Sequence, residues 1–461
     1  MIMYLNSTVR VSNPTSYLKD WVHVLRVPNP EYTKKKRMGF WAGNTPQEIC
    51  LYETDGEDFI LQYGALSMIP NVQDVAILYQ DFAPEHKVDY GNTPMDLYDY
   101  QEKAVDHMLF KGCGILQAPA GSGKTQMGIA MIKRLGVKTL WLCHTKDLLN
   151  QSMDRAKQYI PDNLIGTITE GQVNIGEGVT FATVQTMANL DLLRYRDTWN
   201  CVIVDECHRV SGSPTSVTRY QKVLSNLNAM HKYGLSATVH RSDGLVIATK
   251  ALLGDVMHRV TDEEVSDKIV PVMISPVATG TELNLDSLNP DGTLNYQKFI
   301  SSLASDYERN KLIASNICDG VPSIILSDRL NHLIAIREKL PPDMKRDSVL
   351  ISGKMTSKKG KAEREQAIED MRTGKKKYLF ATYALCKEGL DIPCLEHLHM
   401  TTPVKDYAVV TQSLGRVARR YEGKKQGRCF DYVDEIAYCY KAYKKRCTIY
   451  RKNHCTFEEF D

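Results

Sequence analysis

The segment Ala118-Pro119-Ala120-Gly121-Ser122-Gly123-Lys124-Thr125 sets two glycines, a lysine and a hydroxyl at a spacing suited to phosphate chemistry. Glycines let backbone N–H groups turn inward around a phosphate, and a helix opening at the lysine adds its positive end. Gly121, Ser122 and Gly123 are the expected cradle, Lys124 would reach the β- and γ-phosphates, and Thr125 would ligate Mg²⁺. Ala118 stands where the strict pattern has glycine. The apolar run before the loop and the helical stretch after it supply the context the motif requires. Further on, Val202-Ile203-Val204-Asp205-Glu206-Cys207-His208 places two acids at the end of an apolar run. Adjacent carboxylates leaving a buried strand are costly unless they hold a cation or a reacting water. Asp205 is the candidate Mg²⁺ contact and Glu206 the candidate base for the attacking water. A capping pair at a helix start is the alternative for these acids. Together the two segments describe hydrolysis of a nucleoside triphosphate.

Such residues need a sheet whose loops gather at one edge. From Leu97 onward, helical stretches alternate with the short apolar runs Gly114-Ile115-Leu116, Thr139-Leu140-Trp141-Leu142, Val179-Thr180-Phe181-Ala182 and Cys201-Val202-Ile203-Val204. Runs without polar alternation predict buried parallel strands of an α/β sheet. A second series starts at Ile269-Val270-Pro271-Val272 and continues through Ser323–Leu326, Ser348–Ile351, Tyr378–Ala381 and His397–Met400. Residues 1–91 differ, being rich in tyrosine, tryptophan and turn residues. There Ile49–Tyr52 and Phe59–Leu61 flank Asp55-Gly56, a hairpin signal. The expected division is an accessory domain over 1–91 and two α/β domains over 92–260 and 261–461.

At 461 residues the chain is long enough for about three domains. The 58 basic and 55 acidic residues leave a net charge of +3, which excludes a polybasic binder. Twelve cysteines are scattered without a C-x-x-C pair, so neither a zinc ribbon nor a disulfide scaffold is expected. No apolar stretch approaches the roughly 18 residues of a membrane span. The expectation is a reduced, soluble, intracellular protein.

With these motifs in place, the chain resembles a superfamily 2 nucleic-acid helicase, from Gln101 to Arg419. Asp205-Glu206-Cys207-His208 resembles the DExH box, and Ser236-Ala237-Thr238 the segment that couples hydrolysis to strand movement, with Ser236 and Thr238 as the coupling residues. Gln412-Ser413-Leu414-Gly415-Arg416-Val417-Ala418-Arg419 resembles the motif closing the far side of the nucleotide. The resemblance implies two tandem RecA-like parallel-sheet domains, behind a small N-terminal α+β accessory domain. It implies ATP and Mg²⁺ as cofactors, with Gln101 reading the adenine edge and Gln412 orienting the water. Arg416 and Arg419, on one face if helical, would stabilise the transferring phosphoryl group. Gly389 and Asp391 would approach the ribose. For nucleic acid it implies Thr145, Lys146 and Gln151 in one backbone-holding motif, Thr183 and Thr186 in a second, and Thr382 in the second domain. Hydroxyls and amides of this kind position a strand without reading its sequence. Each of these segments also reads as an ordinary helix cap or turn.

The texture from Gly234 through Arg241, Leu253-Gly254 and Arg309-Asn310, with Asn29-Pro30-Glu31-Tyr32 upstream, resembles the branch containing phage UvsW-type and XPB-like helicases. That implies an ATP-dependent DNA helicase or translocase acting on forked, branched or duplex DNA in replication, recombination and repair. The alternatives are a DExH RNA helicase, a nucleic-acid clamp that remodels or anneals without processive unwinding, and a restriction motor. Basic clusters at Lys34-Lys35-Lys36-Arg37, across Lys345–Lys377 and across Lys441–Lys452 suit a backbone-tracking motor, and read equally as solvated faces. The run near Lys358 is expected in a loop. For Phe40 and Trp41, core packing is expected ahead of base stacking.

Overall fold

The apolar runs between Cys113 and Ser236 form buried strands in a computed structural model of the chain. It describes residues 1–70, 76–79, 82–119, 121–239, 245–261, 263–265, 269–353, 355, 358–387, 390 and 392–458. Two compact units divide the chain, Met1–Glu264 and Val265–Asp461.

In the first unit an eight-stranded sheet runs in the order Gln172–Asn174, Ile165–Thr169, Val179–Thr183, Thr139–Cys143, Cys201–Asp205, His231–Ser236, Cys113–Gln117, Val256–Arg259. Only the edge strand Gln172–Asn174 pairs antiparallel; the other neighbours are parallel. Every residue of Thr139–Cys143, Val179–Thr183 and Cys201–Asp205 is buried, as befits strands covered on both faces. Helices Asp99–Lys111, Lys124–Leu135, Lys146–Ala156, Pro214–Ser225 and Val246–Leu253 belong to the same unit.

The N-terminal residues build a five-stranded sheet in the order Tyr52–Asp55, Asp58–Gln62, Thr8–Ser12, Ile2–Leu5, Ala76–Tyr79. Asp55 and Asp58 close the expected hairpin, with Gly56 at φ +61° in the turn. The Ile49–Tyr52 run breaks at Leu51. Glu48–Cys50 pairs with Arg26–Pro28 in a separate two-stranded ribbon. This module shares its core with the neighbouring α/β sheet: Val9, Val11, Leu18 and Leu61 cluster with Val217, Leu245, Ala248 and Ala251. The junction is close. A Cβ on Gly64 would stand 2.2 Å from the Gly254 nitrogen. Lys232, fully buried, donates to the carbonyls of Ser7 and Leu224 at 2.9 Å each.

One helix of the module, Pro30–Arg37, has no buried residue. It is held locally by Asn29, whose Oδ1 accepts from the Glu31 N–H at 3.0 Å, by Pro30 in its first turn, and by a Glu31–Lys35 ion pair at 2.9 Å. Phe40 and Trp41, which follow it, are 61% and 89% exposed, which overturns the expectation of core packing. Val27 and Ile49 of the adjoining ribbon fill the core there instead.

The second unit contains a wholly parallel sheet of seven strands: Ser348–Leu350, Tyr378–Thr382, Ser323–Ser327, His397–Met400, Gly427–Val433, Val272–Ala278, Thr456–Phe457. Its first strand begins at Val272. Ile269 makes only an isolated bridge to Arg419, and Pro271 lacks the N–H a ladder needs. Two further expectations are corrected here. Lys358–Arg372 is a helix, because Ala362-Glu363-Arg364-Glu365-Gln366-Ala367 are strong helix formers that carry Gly360 with them. Arg446 leaves the C-terminal basic cluster: it is 2% exposed on the helix Ala437–Lys452, donating to both Asp431 oxygens at 2.8 and 2.7 Å. Tyr450 is buried beside it and donates to Asp431 at 2.6 Å. Among the described residues, no helix is long and apolar enough to cross a membrane.

Candidate nucleotide site

The loop between strand Cys113–Gln117 and helix Lys124–Leu135 turns on two residues in the left-handed region, Gly121 at φ +87° and Gly123 at φ +79°. Residues with a Cβ are strained there, which explains the glycines chemically. Gly123 caps the helix, so the first-turn N–H groups, without intrahelical partners, open into the loop. Lys124 Nζ donates to the Ala118 and Pro119 carbonyls at 3.2 Å each, and Ser122 Oγ donates to Pro119 at 2.7 Å. Ala120 lies outside the described residues.

The helix Asp99–Lys111 fastens this loop from behind. Tyr100 Oη and Gln101 Nε2 both donate to the Ser122 carbonyl at 2.9 Å. Gln101 Oε1 accepts from the Tyr98 N–H at 3.0 Å, completing a capping box at the helix start. Gln101 is 3% exposed, and its amide is thus bonded at both ends within the protein.

Across the sheet, Asp205 ends its strand 2% exposed. Its Oδ2 accepts from Ser152 Oγ at 2.9 Å and its Oδ1 from the Glu206 N–H at 2.9 Å. Glu206 sits at φ +48°, a left-handed conformation that turns the chain sharply out of the strand. Burial, reinforced by the Glu206 charge, raises the Asp205 carboxyl above the usual range. Burial works against Glu206 too, but His208, Lys124 and Arg209 outweigh it and hold that carboxyl low. One acid keeps its charge at the expense of the other, as expected for neighbouring carboxylates. His208 Nδ1 lies 3.1 Å from Glu206 Oε2 and 3.1 Å from Ser236 Oγ. Ser236 Oγ donates to the Thr238 carbonyl at 2.7 Å and accepts from the Thr238 N–H at 3.2 Å. His208 therefore stands between the acidic pair, in ion-pair distance of a Glu206 Oε2 that takes part in no hydrogen bond, and the strand end carrying Ser236 and Thr238. The sequence reading gave no role to His208, Ser152 or Tyr100. The helical spacing of Ser152 with Leu149 and Ala156 was the one available signal for it.

Among the described residues, no group of three or more His, Cys, Asp or Glu side chains is arranged to hold a metal. Thr125 stands in the first turn of the helix Lys124–Leu135 and Asp205 at the end of the strand Cys201–Asp205; Mg²⁺ takes one or two such protein oxygens and completes its shell with phosphates and water.

The remaining candidates fall in three places. Thr145 caps the helix Lys146–Ala156, accepting from the Leu148 N–H at 3.3 Å, and Lys146 pairs with Glu170 at 2.8 Å. Gln151 is on the same helix. Thr183 caps Val184–Ala188 and lies 2.9 Å from the Thr186 hydroxyl. In the second unit, Thr382 ends its strand half-buried. Gln412 and Arg416 lie one turn apart on the helix Tyr407–Val417. Arg416 donates to the Leu390 and Cys386 carbonyls at 2.8 and 2.9 Å, while its Nε and the Gln412 Oε1 are buried without a hydrogen-bond partner. The helix stops at Val417, so Arg419 is not on a helical face with Arg416; it sits in the bridge to Ile269. Gly389, Asp391 and Arg241 lie outside the described residues.

Family comparisons agree with this geometry. Residues 94–241 match the model described as type III restriction enzyme, res subunit, and residues 313–421 match the helicase conserved C-terminal domain. The chain is a superfamily 2 helicase, with XPB-type proteins among its relatives. A putative ATP-dependent RNA helicase of Acanthamoeba polyphaga mimivirus is 25% identical, over 72% of this chain and 62% of that protein. The DNA 3'-5' translocase XPB2 of Sulfurisphaera tokodaii is 24% identical, over 71% of this chain and 79% of that protein. Among solved structures, S. cerevisiae Dbp5 bound to RNA and ADP BeF3 matches with a TM-score of 0.55 at 17% identity, covering 79% of this chain and 90% of that one. That likeness supports the fold, two RecA-like domains in tandem, each a parallel sheet with helices. The protein is accordingly an ATP-dependent enzyme of the helicase class.

Proposed function

We propose that this helicase unwinds or branch-migrates forked and junction DNA, with residues 1–91 as an accessory module that grips the duplex, 92–260 as the ATP-binding domain and 261–461 as the second motor domain. The observation that carries the hydrolytic part is the run of contacts from buried Asp205 and half-buried Glu206 through half-buried His208 to Ser236 and Thr238. In this reading Gly121, Ser122, Gly123 and Lys124 hold the triphosphate, Thr125 and Asp205 hold Mg²⁺, and Glu206 takes a proton from the attacking water. Mg²⁺ supplies charge neutralisation between the phosphates when bound. Gln412, Arg416 and Arg419 serve the same hydrolysis, while Gly389 and Asp391 serve the ribose. Thr145, Lys146, Gln151, Thr183, Thr186 and Thr382 hold the phosphate backbone. DNA is favoured by the XPB2 relative, named a DNA translocase; the unburied basic helix Pro30–Arg37 with exposed Trp41 beside it suits a nucleic-acid strand of either kind.

The mimivirus relative, a putative RNA helicase, keeps RNA as the second reading. ATPase assays with single-stranded DNA, duplex, four-way junction and RNA separate the two. Junction or duplex DNA should stimulate turnover most; strongest stimulation by RNA would overturn the DNA assignment. Lys124→Ala should abolish hydrolysis, and intact turnover would undo the site assignment.

A further inference from the structure

The helix Lys146–Ala156 buries three side chains, Leu149, Ser152 and Ala156. Their spacing of three and four residues puts them on one face. Two are what a packing face calls for. The third is a hydroxyl, 1% exposed, and a buried hydroxyl is tolerated where it finds a partner. Its partner is Asp205 Oδ2 at 2.9 Å, the carboxylate at the centre of the hydrolytic site. With the Glu206 N–H on Oδ1 at 2.9 Å, this bond fixes the carboxylate plane from both sides.

The same helix begins at the candidate nucleic-acid contacts. Thr145 is its cap, and Lys146 is held by Glu170 at 2.8 Å in a pair whose side chains are 40% and 61% exposed. A phosphate can displace such an exposed pair at little cost. Seven residues separate Thr145 from Ser152, about 10 Å of rigid helix. A displacement of the helix on gripping a backbone is carried to the Ser152 hydroxyl almost unchanged. An O–H···O bond has a range of only about half an ångström before it weakens steeply, so it reports small movements.

We propose that Ser152 is a positioning residue through which the Lys146–Ala156 helix couples nucleic-acid binding to the hydrolytic carboxylate. This rests on the reading of Thr145 and Lys146 as backbone contacts. Coupling between two binding events is reciprocal, so Mg²⁺-nucleotide must alter affinity for nucleic acid by the factor with which nucleic acid alters affinity for Mg²⁺-nucleotide.

The test uses the full chain and Ser152→Ala, with Ser152→Thr to restore the hydroxyl. Junction-DNA affinity is measured with and without Mg²⁺ and a non-hydrolysable ATP analogue, and turnover with and without DNA. In Ser152→Ala the analogue-induced change in DNA affinity should collapse toward unity, and the ratio of stimulated to unstimulated turnover should fall about tenfold. Ser152→Thr should recover both ratios. An Ala variant that weakens DNA binding or melts earlier while keeping both ratios shows a packing role and overturns the proposal, as do unchanged ratios. If RNA rather than DNA stimulates the parent chain, the DNA assignment fails and the same ratios are read with RNA. Stimulation by neither refutes both.

Discussion

The fastening of the phosphate loop by Tyr100 and Gln101 can be tested by a double-mutant cycle. Tyr100→Phe deletes one of two hydrogen bonds to the Ser122 carbonyl and leaves the other, so the carbonyl stays satisfied. The expected loss is about 0.5 kcal/mol, roughly twofold in nucleotide affinity. Gln101→Ala removes the second bond, worth about 1 kcal/mol or fivefold, and also breaks the capping box at Tyr98. In the double variant a carbonyl on a residue 1% exposed loses both donors. Its desolvation adds a further ~1 kcal/mol beyond the sum of the single changes. Titration with Mg²⁺-ATP and Mg²⁺-GTP reads the cycle. Because the bonds act on the loop that meets the phosphates, both nucleotides should weaken in parallel. If Gln101 instead reads the adenine edge, ATP alone weakens. Selective loss of ATP with additive single effects would refute the fastening argument.

Three further outcomes follow from the packing. Arg446→Met strands the buried Asp431 carboxylate and should cost roughly 3–5 kcal/mol, read as an earlier thermal transition, with the salt dependence of DNA binding unchanged because Arg446 is not at the surface. Burial pushes the Lys232 amine down to about 7, so above that pH the folded chain holds fewer protons than the unfolded one. Stability should therefore rise with pH from about 7 toward the ordinary lysine range, at up to ~1.4 kcal/mol per pH unit, and be lowest below 7. Denaturant melts of the parent chain and Lys232→Met between pH 6.5 and 9 check this, since the difference between them should carry that slope. Replacing Lys34, Lys36 and Arg37 by serine should lower DNA affinity and reduce the slope of log affinity against log salt by about one per lost phosphate contact. An unchanged slope would place DNA elsewhere.

The strands and the phosphate loop were legible because their signal is local. An unbroken apolar run such as Cys201–Val204, and glycines flanking a lysine, mean the same thing in most contexts. Two of the corrected expectations share one cause, a dependence on partners distant in sequence. Arg446 reads as one of a basic cluster until Asp431 is seen opposite it, and Phe40 and Trp41 read as core until Val27 and Ile49 are seen filling it. At Lys358 the deciding signal is local: the helix formers after Gly360 outweigh the glycine. Arg416 and Arg419 share a face only if both are helical, and the helix ends at Val417. Ser152 and Tyr100 carry no pattern until their hydrogen bonds are known, and the motif that contains His208 does not reveal that its ring reaches Ser236.

The shared core of Val9, Leu18 and Leu61 with Val217, Leu245 and Ala251, clamped by Lys232 across to Ser7, has a thermodynamic consequence. Among the described residues, one continuous core joins the N-terminal module to the domain that bears the phosphate loop. Cutting it away would leave a greasy scar on the motor in place of a clean truncation. Because that core is shared, the module and the ATP-binding domain should melt in one transition instead of two.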